Sequence, residues 1–128
     1  MMKEQKYDLE DRFVAFAVRI INLSETLPKT KAGNHVCTQI LKSGTSPAPN
    51  YGEAQGAESP NDFVHKLKIA LKELRETRIW LKIISKARMI QPETVLDSLL
   101  QETDELIAIT FTSIDTAKNN RNRKKGMQ

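Results

Sequence analysis

Cysteine is almost missing from this chain. Cys37 stands alone in 128 residues, so no internal disulfide can form. Long apolar runs are missing too; none approaches the ~18–20 residues needed to cross a bilayer. Met1-Met2-Lys3-Glu4-Gln5-Lys6 carries charge with no apolar core behind it, which does not read as a secretory signal. A cytoplasmic location is the expectation. There is no CxxC pair, no phosphate-binding glycine loop of P-loop or dinucleotide type, and no nucleophile–base–acid set. No catalytic activity and no cofactor are therefore expected. No low-complexity linker and no internal repeat divides the chain. What remains is 39% hydrophobic and 28% charged, a balance that supports one globular domain with a real core.

Apolar spacing predicts an all-α fold of four helices. In the first, from about Asp8 to Leu27, the residues Leu9, Phe13, Phe16, Ile20, Leu23 and Leu27 recur at alternating intervals of four and three. Val14, Ala17, Val18 and Ile21 widen this seam into a bundle-type face. Asp8 suits the N-cap, and Pro28 stops the helix. The second helix begins near Thr30, with Val36, Cys37, Ile40 and Leu41 inward, and must absorb Pro47 and Pro49.

Leu41 to Gly56 reads locally as a loop, yet Gly44, Ala48, Gly52 and Gly56 fall at a strict interval of four. On a helix they make a ridge with almost no side chain, open to a neighbouring backbone. A bent but continuing helix through about Gln55 is the reading, with Ser43, Thr45 and Ser46 offering hydroxyls to carbonyls that the prolines leave unpaired.

The third helix has the clearest start: Ser59 as N-cap, Pro60 at the first helical position and Asp62 at the capping-box position. Phe63, Leu67, Ala70, Leu71, Leu74, Leu81 and Ile84 line its inner face. Ile79, Trp80 and Ile83 extend the apolar surface and suggest burial against a second surface, such as another subunit. The fourth helix runs from near Pro92 to about Lys118. Short connections then favour an antiparallel up-down-up-down four-helix bundle over 1–118, with a basic flexible tail over 119–128.

Charge is segregated. From 63 to 88, Lys66, Lys68, Lys72, Arg75, Arg78, Lys82, Lys86 and Arg88 face only Glu73 and Glu76. From 93 to 117 there are six acids and no base. Either adjacent helices neutralise one another, or part of each stripe faces a partner. Five bases (Lys118, Arg121, Arg123, Lys124 and Lys125) sit at the C-terminal end and leave the rest of the chain near neutral. With Lys42, Lys68, Lys72 and Arg75 they are the candidates for contact with nucleic-acid phosphates. The tail has no aromatic residue for base stacking, so such contact should be salt-sensitive and sequence-tolerant.

Two other groupings bear on chemistry. Asp62-Phe63-Val64-His65 has the carboxylate-x-x-His spacing of di-metal bundles, but there is a single copy, at a helix end. No metal is expected, and His65 reads as a surface residue. Cys37 reads as a small apolar side chain. Asn50 and Glu53 share one helical face, against which the third helix runs back. With Glu76 and Arg78 they suggest a polar network that fixes register, or alternatively a ligand site.

The runs Gln39-Ile40-Leu41-Lys42-Ser43-Gly44-Thr45-Ser46, Asn50-Tyr51-Gly52-Glu53-Ala54, Asp62-Phe63 and Leu67 to Thr77 resemble those of small bacterial four-helix-bundle proteins. That family was first noticed as products encoded within intervening sequences of large-subunit ribosomal RNA genes. It also includes the accessory variability protein of diversity-generating retroelements. The resemblance covers about Asp8 to Lys118. It implies a homopentamer of bundles, a barrel with a central channel. Its retroelement relatives bind a reverse transcriptase and nucleic acid, while many members have no established activity. Lys42, Asn50, Glu53 and Glu76 match the family pattern. Gly52 and Gly56 depart from it, standing where relatives often carry a basic residue. The expected function is a non-enzymatic, ring-forming accessory or scaffold protein that binds RNA or DNA. The alternative is an oligomer that binds only protein.

Overall fold

The computed structural model describes residues 8–126, apart from the side chain of Lys125. It is all-helical among these residues: α1 (Leu9–Glu25), α2 (Lys31–Thr45), α3 (Pro47–Gln55), α4 (Pro60–Lys86) and α5 (Thr94–Gly126). Together α2 and α3 are the second helix expected from sequence. The chain bends at Ser46, yet Ser46 keeps helical angles, φ −65° and ψ −35°. Its N–H reaches the Lys42 carbonyl at 3.2 Å and its carbonyl accepts from the Asn50 N–H at 3.2 Å. The rod therefore continues through both prolines.

The hydroxyls near the bend do something other than expected. Thr45 donates to the Leu41 carbonyl at 2.6 Å, and Ser43 shares a 2.9 Å hydrogen bond with Thr77 of α4. Neither serves the carbonyls of residues 43 and 45, the ones whose usual donors are replaced by Pro47 and Pro49. The small-residue ridge is also only half used. A Cβ on Gly44 would lie 2.7 Å from Ile20 of α1, whereas Gly52 has nothing within 4 Å and Gly56 only its own Glu53 carbonyl at 3.9 Å.

Capping follows sequence chemistry. The Asp8 carboxylate accepts from the N–H groups of Glu10 and Asp11, and the Thr30 and Ser59 hydroxyls accept from Gly33 and Asp62 at 3.0 Å each. α1 ends at Glu25, two residues before the expected Leu27, but Leu27 stays buried in the core. α4 closes with paired bonds from the Arg88 N–H to Ser85 and from the Met89 N–H to Ile84, the helix-ending geometry that needs a left-handed residue. Arg88 supplies it at φ 53°.

α1 packs on α2, α3 and, more lightly, α5; α4 packs on α2, α3 and α5. Among the described residues the backbones of α1 and α4 do not meet, so these two helices stand at opposite corners of the bundle. Phe13, Phe16, Ile20, Leu23 and Leu27 enter the core, as their spacing predicts. Val14, Val18 and Ile21 do not widen that face; they are exposed. An outward row of apolar residues on one helix is periodic in the same way as a broad inward face, and only the packing distinguishes them.

Candidate nucleic-acid interface

α5 is longer than its apolar pattern suggests. The 119–128 segment expected as a flexible tail continues as helix through Gly126, with residues 127 and 128 outside the described part. Ala117 packs with Val64 and Leu67 of α4 in a second buried apolar cluster, separate from the one that holds the α1 seam. Arg121 then donates to the Asn61 side chain in the first turn of α4. The composition of this stretch offered little to bury, and α4 gives it a polar partner instead.

This packing brings Lys68 of α4 beside Lys118 and Arg121 of α5. Lys68 is fully exposed, and its ammonium loses its proton more readily than an ordinary lysine, chiefly because Lys118 crowds it, with Arg121 adding to the effect. Like charges held together without an acid favour an incoming anion. Lys124, three residues beyond Arg121, continues the exposed positive surface one turn along α5, while Arg123 lies on the other side of the helix and donates to Asn120 at 2.7 Å. Lys125 lies on the same helix, its side chain outside the described part.

The other expected phosphate contacts are placed differently. Lys72 and Arg75 are exposed one and two turns further along α4. Lys42 is exposed on α2, next to Ser43, whose partner Thr77 is nine residues along α4 from Lys68, about 13 Å. Lys42 thus stands apart from the α4–α5 cluster.

Asn50, Glu53, Glu76 and Arg78 do not form the expected network. Asn50 donates to the Ser46 carbonyl and hydroxyl at 3.0 Å, within its own rod. Glu53 pairs with Lys66 at 2.7 Å and raises the affinity of that lysine for its proton. Glu76 accepts from the Trp80 indole at 3.1 Å, and Arg78 reaches Asp104 of α5 at 2.6 Å. Register explains the separation. Glu53 meets α4 at Lys66, and Glu76 is ten residues further on, about 15 Å away.

The acids of α5 neutralise α4 only in part. Arg78 takes Asp104, but Glu102 and Glu105 go to Arg12 of α1, at 2.7 and 3.0 Å. The Arg12 guanidinium holds its proton more firmly than usual, first because Glu102 accepts from it. A raised pKa of this kind stabilises the fold below the ordinary arginine value, and the contribution is lost only in strong alkali. Ion pairing therefore leaves Lys68, Lys72, Arg75, Lys82 and Lys86 of α4 without an acidic partner among the described residues.

The histidines and the cysteine stay peripheral. His65 is exposed, and His35 stands edge-on to Trp80 with ring centroids 6.0 Å apart. Cys37 is half-buried against the core, its thiol 3.7 Å from the Ser24 carbonyl. No helix among the described residues is long and apolar enough to cross a membrane.

A family model described as 23S rRNA-intervening sequence protein matches residues 5–112. The chain belongs to this family. Its matched region spans the bundle and stops short of the basic end of α5. A crystal structure of a protein of unknown function, from the S23 ribosomal protein family of Bacteroides thetaiotaomicron, is similar. It is 36% identical, with a TM-score of 0.77, over 84% of this chain and 98% of that one. Among curated proteins there is no match.

Proposed function

We propose that this family member is a non-enzymatic, homo-oligomeric scaffold, with five copies the expected number, that acts in the cytoplasm and binds RNA or DNA through the phosphate backbone. The observation that carries the reading is the junction of Lys68 with Lys118 and Arg121, three cations held together with no acid among them. Lys124 prolongs that surface along an exposed helix. None of these residues is aromatic, so the surface positions a strand without reading its sequence.

Replacing Lys68, Lys118 and Arg121 together with glutamine is expected to weaken binding of a mixed-sequence oligonucleotide about 100-fold near 0.1 M salt. The same change at Lys29 and Lys31, exposed at the connection between α1 and α2, should leave affinity nearly unchanged. Fluorescence anisotropy on variants with wild-type helix content checks this; equal losses in both sets would overturn the placement. An oligomer that binds only protein is favoured by exposed Ile79, Ile83 and Phe111. Nuclease-insensitive capture of protein, without nucleic acid, would support that second reading.

A further inference from the structure

Two outward rows, on opposite corners of the bundle, have matching length and opposite charge. On α1, Val14 and Val18 are each 48% exposed and Ile21 42%, and they lie in register with acidic Asp11 and Glu25. The intervals from Asp11 to Glu25 are three, four, three and four, so all five residues share one face. The two arginines of α1 are drawn off that face: Arg12 binds Glu102 and Arg19 donates to Ser98 at 2.8 Å, both on α5. The row is left apolar in the middle and acidic at both ends.

On α4 the outward face carries Ile79, 53% exposed, and Ile83, 39% exposed. Lys72 and Lys86 stand seven residues to either side of Ile79, with Arg75 and Lys82 on the flank. Between Lys72 and Lys86 α4 has two acids, both half-buried: Glu73, off this row, and Glu76, whose carboxylate is engaged by the Trp80 indole; Asp104 of α5, beside Ile79, is taken by Arg78. This row is apolar in the middle and basic at both ends. Asp11 to Glu25 and Lys72 to Lys86 are equal separations, about 21 Å on a straight helix.

We propose that the α1 row of one copy seats on the α4 row of a second copy, valines on isoleucines and acids on bases. This inference rests on the homo-oligomeric part of the function proposed above. α1 and α4 occupy opposite corners, so one protomer cannot satisfy its own rows. The contact is head-to-tail, and each copy offers one face of each kind. Such contacts build rings when the rotation closes and filaments when it does not. Lys72 and Arg75 then belong to the contact between copies, and the nucleic-acid surface is left to Lys68 and the bases of α5.

The test is mass in solution by light scattering, with Val18→Lys and Ile79→Glu as surface variants whose helix content is checked by circular dichroism. Wild type is expected at a multiple of 14.5 kDa, and each variant alone at 14.5 kDa. Val18→Lys keeps a working α4 face, and Ile79→Glu keeps a working α1 face. An equimolar mixture must therefore re-form assemblies of at least two copies. Single-copy mass in the mixture, or an Ile79→Glu protein that still self-associates while Val18→Lys does not, would overturn the head-to-tail contact. Wild-type mass unaltered in both variants would place the contact elsewhere and leave the oligomer standing. Wild type at 14.5 kDa at low and high salt would sink the oligomer as well; the anisotropy measurement on Lys68, Lys118 and Arg121 would be untouched by either result.

Discussion

Replacing Gly33 with alanine is expected to destabilise the fold by about 3 kcal/mol, a fall of roughly 10 °C in Tm for a domain of this size. A Cβ at this position would stand 1.9 Å from the Pro28 carbonyl oxygen and 2.9 Å from its carbon. Both are backbone atoms and cannot turn aside. The connection between α1 and α2 is short, and the Thr30 hydroxyl pins it by accepting from the Gly33 N–H at 3.0 Å. The Pro28 carbonyl thus passes over the first turn of α2 where only a hydrogen fits. Alanine normally improves a helix over glycine by ~0.5–1 kcal/mol, which offsets little of this cost. Urea unfolding measures the difference; an alanine variant as stable as wild type would refute the close approach.

The second large effect concerns Gly44 and Ile20. An alanine Cβ at Gly44 would meet Ile20 Cγ2 at 2.7 Å and Cγ1 at 2.8 Å, and Ile20 is fully buried. Gly44→Ala is expected to cost about 2 kcal/mol by overpacking. Ile20→Ala should cost about 3 kcal/mol by leaving a cavity. The new methyl occupies part of that cavity, so the double variant should lose ~1–2 kcal/mol less than the sum. Gly52→Ala, with open space around it, should be neutral or stabilising by up to ~1 kcal/mol. A four-variant cycle in urea checks the coupling. Strict additivity would show that the bent rod does not press against α1 at Gly44.

These two glycines show how far sequence carries. The interval of four drew attention to Gly44, Ala48, Gly52 and Gly56, and the close contact with α1 forms at Gly44. Gly33 belongs to no such series. Nothing in the sequence singles it out; only the structure shows the Pro28 carbonyl lying against it. The caps at Asp8 and Ser59 were legible because a carboxylate or hydroxyl beside unpaired N–H groups is local chemistry. The α1 seam was legible for the same reason of short range.

What depended on register between helices was not legible. Asn50, Glu53, Glu76 and Arg78 share suitable chemistry, but Lys66 rather than Glu76 stands opposite Glu53. The direction of Val14, Val18 and Ile21 was hidden by a periodicity that inward and outward rows share. The helical course of the basic end of α5 is not visible in its composition, since it comes with a hydrogen bond from Arg121 to Asn61 and not with apolar contact. For the site, the residue types were visible in the sequence; that Lys68 joins Lys118 and Arg121 while Lys42 stands apart follows only from the packing of α4 on α5.

The most direct measurement of the proposed role is the affinity of the wild-type protein for one mixed-sequence oligonucleotide, as RNA and as DNA, between ~50 and 200 mM salt. Four cations on the α4–α5 surface, Lys68, Lys118, Arg121 and Lys124, should release enough counterions to give a log–log slope near −3.6 on a duplex, about a 150-fold loss across that range. Scrambling the base sequence should change little. Absence of binding at the lowest salt, or affinity that ignores salt, would contradict a phosphate-binding surface at Lys68, Lys118 and Arg121.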